Sequence, residues 1–137
     1  MTEYKIYTLI CPLDGQVKYV GRTYSANLKT RLDNHYSGCE GTLKKLLWIE
    51  KLRTENVRPI IEVVETINTD SKKVIDETES YWINQFKQWG FNLVNGTHYA
   101  QNKRKYISPS EYALLREKEY NNYQIEINLL TKHADRK

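Results

Sequence analysis

The chain has 137 residues, of which 39% are hydrophobic and 28% are charged, as expected for a folded protein of one domain with a short appendage. It has no apolar run of the roughly 20 residues that a membrane span needs and no signal-peptide pattern. Its two cysteines are too few for a disulfide framework. We therefore expect a cytoplasmic protein with reduced thiols. The net charge is +4, and most of the excess lies in residues 101–137, which carry 8 basic and 5 acidic side chains.

Two runs rich in Tyr, Ile, Val and Thr lie on either side of a turn sequence near the N-terminus. Residues 4–11 and 16–21 are predicted as paired antiparallel strands, because Pro12-Leu13-Asp14-Gly15 between them favours a tight turn. Alternation along the first strand places Tyr7 on an apolar face, so its hydroxyl needs a polar partner. Strand pairing brings Tyr19 close to Tyr7, although tyrosines in strands are usually structural.

Two helices are predicted next. The first spans residues 26–36, with two inward leucines four residues apart, and it ends at Ser37-Gly38. Arg31 and His35 are also four residues apart and therefore share a neighbouring face. The second helix spans residues 42–55. Its predicted apolar stripe consists of Leu43, Leu46, Leu47 and Trp48.

A third strand and a third helix follow. The strand is predicted over residues 60–67, directly after Pro59. The helix is predicted over residues 71–89, capped by Asp70 and stopped by Gly90. Its apolar positions are Val74, Ile75, Tyr81, Trp82, Ile83 and Phe86.

The C-terminal part is polar and basic up to a helix start at Ser108-Pro109-Ser110-Glu111. A helix from residue 109 to about residue 120 is predicted there, with Tyr112, Leu115 and Tyr123 on one face. The element order β-β-α-α-β-α indicates an α+β fold, with a small three-stranded antiparallel sheet flanked by helices and a C-terminal helical extension. We expect one domain over residues 1–100 and a basic linker and helix over residues 101–137.

Glu79 is the carboxylate that first suggests chemistry. Helical spacing places it between Ile75 and Ile83 on the apolar stripe of the third helix. A buried carboxylate without a partner costs several kcal/mol, so this position requires a cation, either an arginine or a metal ion. A salt bridge to Arg31, or a helix rotated enough to expose Glu79, would explain the same pattern without catalysis.

The polar candidates follow a fixed order along residues 4–96. They are Lys5-Ile6-Tyr7, Tyr19-Val20-Gly21, Arg31 ten residues later, His35 one turn further, Glu79 three residues before Trp82-Ile83, and Asn92 in Gly90-Phe91-Asn92-Leu93. Together these motifs, at this spacing, resemble the signature of the GIY-YIG nuclease family. Two positions depart from it: Lys5 stands where the family has its first glycine, and Val20 stands where it has isoleucine.

The resemblance implies a metal-dependent endonuclease that hydrolyses phosphodiester bonds in double-stranded or branched DNA. It implies one divalent cation, Mg2+ or Mn2+, held by Glu79. It also implies that Arg31 binds the scissile phosphate and that Tyr7 activates or orients the attacking water. Because a free phenol has a pKa near 10, positive charge from Arg31 or the metal would have to lower the pKa of Tyr7 for it to act as a base.

Three further residues complete the site that the resemblance implies. Tyr19 and His35 would orient the water and the first tyrosine, with His35 as a proton relay, and Asn92 would brace the site. Two other interpretations stay open: a catalytically weak or inactive nucleic-acid-binding module on the same fold, and a structural domain whose motif match is accidental. Homing, restriction and repair enzymes all use such a domain.

Basic residues outside the site provide candidates for contacts to the DNA backbone. They are Arg22, Lys103, Arg104 and Lys105. A solvated linker explains the last three equally well. The C-terminal helix could pack on the domain, pair two subunits in a homodimer, or bind a partner protein.

Overall fold

In a computed structural model of the chain, the described residues are 1–24, 27–38, 41–96 and 104–115. The chain divides into two units, Met1–Arg104 and Lys105–Lys137. Across the described ranges, no helix has the length and apolar character that a membrane crossing requires.

The first unit contains a three-stranded antiparallel sheet in the order β2-β1-β3. Its strands are β1 (Glu3–Ile10), β2 (Val17–Thr23) and β3 (Ile60–Asn68). The turn between β1 and β2 is closed by a hydrogen bond of 2.8 Å from the N–H of Gly15 to the carbonyl of Cys11. Gly15 adopts a φ of +72°, which glycine tolerates better than other residues. The predicted hairpin and the predicted third strand are both confirmed.

Three helices complete the unit, and each begins at a side chain that accepts a hydrogen bond from a backbone N–H three residues ahead. The helices are α1 (Leu28–Ser37), α2 (Leu43–Thr54) and α3 (Lys72–Gln88), with the caps Asn27, Thr42 and Ser71. The prediction that Asp70 caps the third helix is wrong. Ser71 takes that position, while the carboxylate of Asp70 accepts the backbone N–H of Thr2 at 2.9 Å.

The two faces of the sheet carry different helices. On one face, residues from the second half of β1 and the following Cys11 pack against buried residues of α2. This core includes Tyr7, Leu9, Cys11, Trp48, Ile49 and Leu52. On the other face, α3 packs against β1 and β2. Ile6 of β1 is paired in register with Glu65 of β3, whose Oε1 accepts a hydrogen bond of 2.8 Å from Trp82 Nε1 of α3.

The predicted apolar stripe of α2 is correct for Trp48 and wrong for two of its leucines. Leu43 and Leu47 are 71% and 61% exposed. The buried residues are Lys45, Trp48, Ile49 and Leu52. The helix therefore turns the side of Trp48, Ile49 and Leu52 inward, where burial of their apolar surface stabilises the fold. That rotation carries Lys45, one turn before Ile49, into the interior.

In the second unit, residues 109–115 are helical. The hydroxyl of Ser108 accepts the backbone N–H of Glu111 at 3.1 Å, so the predicted helix start is confirmed. The predicted continuation to about residue 120 and the position of Tyr123 lie outside the described residues.

Candidate active site

The hydroxyl of Tyr7 is the centre of a buried polar cluster. Tyr7 is fully buried in β1, and its Oη lies 2.5 Å from Nε2 of His35. The Nε of Arg31 donates to the same oxygen at 3.0 Å. Arg31 and His35 lie one turn apart on α1, as their spacing predicted. The ring of Tyr19 lies 6.4 Å from that of Tyr7 and 5.0 Å from that of His35, measured between centroids, so the structure brings these four residues together.

The hydrogen-bond chemistry of this cluster fixes one of its two proton directions. A guanidinium can only donate, so Tyr7 Oη accepts from Arg31. The bond between Tyr7 Oη and His35 Nε2 follows the tautomer of the imidazole: Tyr7 donates when His35 carries its proton on Nδ1, and accepts when His35 carries it on Nε2.

The surroundings hold both partners in their neutral forms. Burial lowers the pKa of His35 to about 3, and the positive charges of Lys45 and Arg31 act in the same direction. Burial also raises the pKa of Tyr7 above its ordinary value, with a smaller contribution from Tyr19, and this outweighs the lowering effect of Arg31. Arg31 therefore lowers the pKa of Tyr7 as expected, but by less than burial raises it.

Gly21 of β2 gives the Tyr7 ring the space it occupies. The two residues are paired in register. A Cβ added at Gly21 would lie 2.5 Å from Tyr7 Oη and 2.8 Å from Cε1 of Tyr19. The last residue of the Tyr19-Val20-Gly21 motif is thus explained by close packing against both tyrosines.

Two open cavities adjoin the cluster. The larger has a volume of about 580 Å³ and its lining includes Arg31 and His35. The smaller, of about 220 Å³, has Glu79 of α3 and Asn95 in its lining. Glu79 is partly buried, and its negative charge contributes to raising the pKa of both Tyr7 and Tyr19. Glu79 is therefore close enough to act on the tyrosine cluster electrostatically while facing a solvent-filled space.

Two asparagines lie close together after α3. Asn92, the predicted bracing residue, is exposed, whereas Asn95 holds the backbone of Val20 at both ends. Its Oδ1 accepts the Val20 N–H at 2.9 Å, and its Nδ2 donates to the Val20 carbonyl at 2.8 Å. A third hydrogen bond of 2.6 Å, from the N–H of Val94 to the carbonyl of Lys18, keeps this segment along the edge of β2. The outer edge of β2 is therefore covered by residues 94 and 95, a segment that begins two residues after Asn92.

Sequence reasoning also missed Lys45. Its ammonium lies 5.0 Å from the centroid of the Tyr19 ring, and the residue lines both cavities. A lysine at this position of α2 is unremarkable in the sequence. Only the rotation of the helix brings it to the site.

The basic residues predicted to contact DNA lie in different environments. Arg22 forms an ion pair with Asp76 of α3. Arg104 donates to Glu65 at 2.5 Å, and its guanidinium lies 4.2 Å from the centroid of the Tyr81 ring. Lys105 is exposed in the second unit, and Lys103 lies outside the described residues.

Among the described residues that line the two cavities, Glu79 is the one carboxylate that a metal ion could use. Across the described ranges, no group of three or more His, Cys, Asp or Glu side chains is placed to hold one. A Mg2+ ion, however, is commonly bound through one or two carboxylates together with waters and substrate phosphates. Glu79, facing an open cavity, fits that mode of binding.

The fold and the site define a small α+β protein with a buried tyrosine cluster beside a cleft lined by cations. The family model of the GIY-YIG catalytic domain matches residues 3–92, which is more than half of the chain. The chain therefore belongs to the GIY-YIG nuclease family, as the motifs predicted. No curated protein and no solved structure matches it.

Proposed function

We propose that this protein is a DNA endonuclease that hydrolyses phosphodiester bonds with one divalent cation, with residues 1–100 as its catalytic domain. The observation that carries the proposal is the joining of Tyr7, His35 and Arg31 by hydrogen bonds next to the cavity of Glu79. This constellation supports hydrolysis rather than binding alone, because a buried tyrosine–histidine pair is not needed to hold a phosphate.

Arg31 would bind the scissile phosphate. Its Nε is committed to Tyr7 Oη, and the residue lines the larger cavity, where its guanidinium can approach a phosphate oxygen. The same guanidinium would thus hold the substrate and fix the position of the tyrosine hydroxyl. This coupling places the reacting phosphate within reach of the water that Tyr7 orients.

Tyr7 and His35 would move one proton away from the attacking water. Because the pKa of Tyr7 is raised, its phenolate is not populated in the free protein at neutral pH. The water would pass its proton to Tyr7 Oη as the Tyr7 proton passes to His35 Nε2. A bound phosphate favours this transfer, since its negative charge offsets the cations that lower the pKa of His35.

Glu79 would hold the divalent cation, Mg2+ or Mn2+. When bound, such an ion would neutralise charge on the phosphate and on the leaving 3′ oxygen. Asn95 would keep β2, and with it Tyr19, in place through its two hydrogen bonds to Val20.

The test is cleavage of plasmid and branched DNA in Mg2+ by the wild-type protein and by Glu79→Ala and Arg31→Ala. We expect both variants to lose at least about 100-fold in rate. Glu77→Ala is the matched control, because Glu77 is a carboxylate of the same helix, lines neither cavity and forms an ion pair with Lys73 at 4.0 Å. Undiminished cleavage by both site variants would refute the proposal.

The contribution of the C-terminal part stays a prediction. Lys105 is exposed and would make sequence-independent contact with the DNA backbone. A cleavage rate that loses its salt dependence on truncation after residue 104 would support that role. The same truncation, followed by measurement of the oligomeric state, tests the predicted homodimer or partner contact.

A further inference from the structure

Lys45 is buried to an extent that is rare for lysine. Only 7% of its surface is exposed, and a buried ammonium is costly unless polar groups surround it. Its aliphatic stem runs past Gly41, where an added Cβ would lie 2.8 Å from Lys45 Cδ and 3.4 Å from Nζ. Gly41 also has a φ of +119°, so a side chain there is excluded by both the backbone and the available space. The chain thus leaves room for the lysine stem.

The charged end of Lys45 lies at the centre of the site. Three residues line both cavities: Tyr19, Gly41 and Lys45. Lys45 therefore lies between the cavity of Arg31 and the cavity of Glu79. Its 5.0 Å distance from the Tyr19 ring centroid is within the range of a cation–π contact, which holds the charge in a defined place.

The charges around the cavities favour an anionic ligand. Among the described residues that line them, Glu79 is the single acidic side chain, whereas Arg31 and Lys45 are both cationic. A lysine with a buried stem and an ammonium at a solvent-filled junction presents a compact positive charge. A DNA strand that crosses this cleft with one phosphate at Arg31 brings a further phosphate charge close by.

We infer that Lys45 binds a phosphate of the cleaved DNA strand at the junction of the two cavities. This inference rests on the proposed function and adds to it a second protein cation in contact with the substrate. In the alternative, Lys45 only balances charge inside the protein and DNA does not reach it. If Lys45 binds a DNA phosphate, removing its charge reduces the salt dependence of DNA binding. If Lys45 only balances charge inside the protein, removing its charge leaves that salt dependence unchanged.

The experiment measures binding of a short DNA duplex at several salt concentrations without divalent cations, so that no cleavage occurs. We expect Lys45→Met to weaken binding by about tenfold at low salt and to reduce the slope of log K against log salt by about 0.9, the contribution of one phosphate contact. Lys44→Met is the matched control, because Lys44 is the preceding residue of α2 and is exposed. We expect it to keep affinity within about twofold and the slope within about 0.3 of the wild-type value.

A conservative variant separates charge from packing. Lys45→Arg should retain most of the DNA affinity and most of the salt dependence of binding. Lys45→Met should lower both, and its unfolding temperature should stay close to that of the wild type. Lys45→Gln replaces the methionine variant if the latter does not fold. Equal slopes for Lys45→Met and Lys44→Met would overturn the inference, and cleavage by the wild type would then leave the proposed function intact. A wild-type protein that neither binds nor cleaves DNA would overturn both.

Discussion

Replacing Gly21 by alanine should disrupt the site without removing any of its functional groups. The new Cβ would lie 2.5 Å from Tyr7 Oη, and ordinary contact begins near 3.4 Å, so the hydroxyl must retreat by about 0.9 Å. Tyr7 is fully buried and has little space to accept this change. Overpacking of this kind costs about 1–3 kcal/mol in the free energy of unfolding.

The functional effect of Gly21→Ala should exceed its effect on stability. A displacement of this size breaks the contact of Tyr7 with His35, at 2.5 Å, or with Arg31, at 3.0 Å. Misplacement of a reacting group by about 1 Å costs on the order of 100-fold in rate. The assay is the rate of DNA cleavage at saturating Mg2+, together with thermal unfolding followed by circular dichroism.

Gly15→Ala is the matched control for that experiment. A Cβ added at Gly15 would have no atom within 4 Å, so alanine there leaves the site unchanged. The φ of +72° at Gly15 means that alanine strains the turn by about 1–2 kcal/mol. We expect both variants to lose stability and only Gly21→Ala to lose activity. Equal cleavage rates for the two variants would refute the explanation of Gly21 as the residue that makes room for Tyr7.

Three further predictions concern Asn95, His35 and Arg104. Asn95→Ala should lower the free energy of unfolding by about 2 kcal/mol through loss of two hydrogen bonds, and Asn92→Ala by less than about 0.5 kcal/mol, measured by urea denaturation; equal losses would contradict the bracing role of Asn95. The pKa of His35 falls from 6.5 in the unfolded chain to about 3, so the unfolded state binds the extra proton, and stability should fall as the pH drops below about 6.5. In urea denaturation across that range, an identical pH dependence in His35→Gln would rule this out. Arg104→Ala should cost about 1 kcal/mol of stability and leave the cleavage rate unchanged, and a loss of cleavage without a loss of stability would place Arg104 on the DNA instead.

Local spacing predicted parts of the tyrosine cluster, and the family resemblance joined these parts into one site. Alternation along β1 predicted that the Tyr7 hydroxyl needs a partner, and a four-residue interval predicted that Arg31 and His35 share a face of one helix. Both rules depend on a few neighbouring residues and on regular backbone geometry. They hold here because α1 is a regular helix over those positions and β1 stays in register with β2 from Lys5 to Leu9, although its pairing with β3 shifts between Ile6 and Tyr7.

The residues that were missed depend on longer-range packing. Lys45 enters the site because α2 is rotated toward Trp48, Ile49 and Leu52, a choice that its weakly amphipathic sequence leaves open. Asn95 reaches Val20 because residues 94 and 95 run along β2, in a segment without regular structure whose path no periodicity predicts. The sequence also does not distinguish which of two adjacent residues caps a helix, as Asp70 and Ser71 before α3 show.

Burial keeps two residues of the site neutral in the free protein. Tyr7 is a neutral phenol and His35 a neutral imidazole. Burial is the largest cause of the lowered pKa of His35, and the positive charges of Lys45 and Arg31 act in the same direction. Under the proposed function, a bound phosphate would offset both charges and make the imidazolium less costly. The proposed proton path from water through Tyr7 to His35 would then be favoured when the substrate phosphate is in place, which would couple DNA binding to activation of the water.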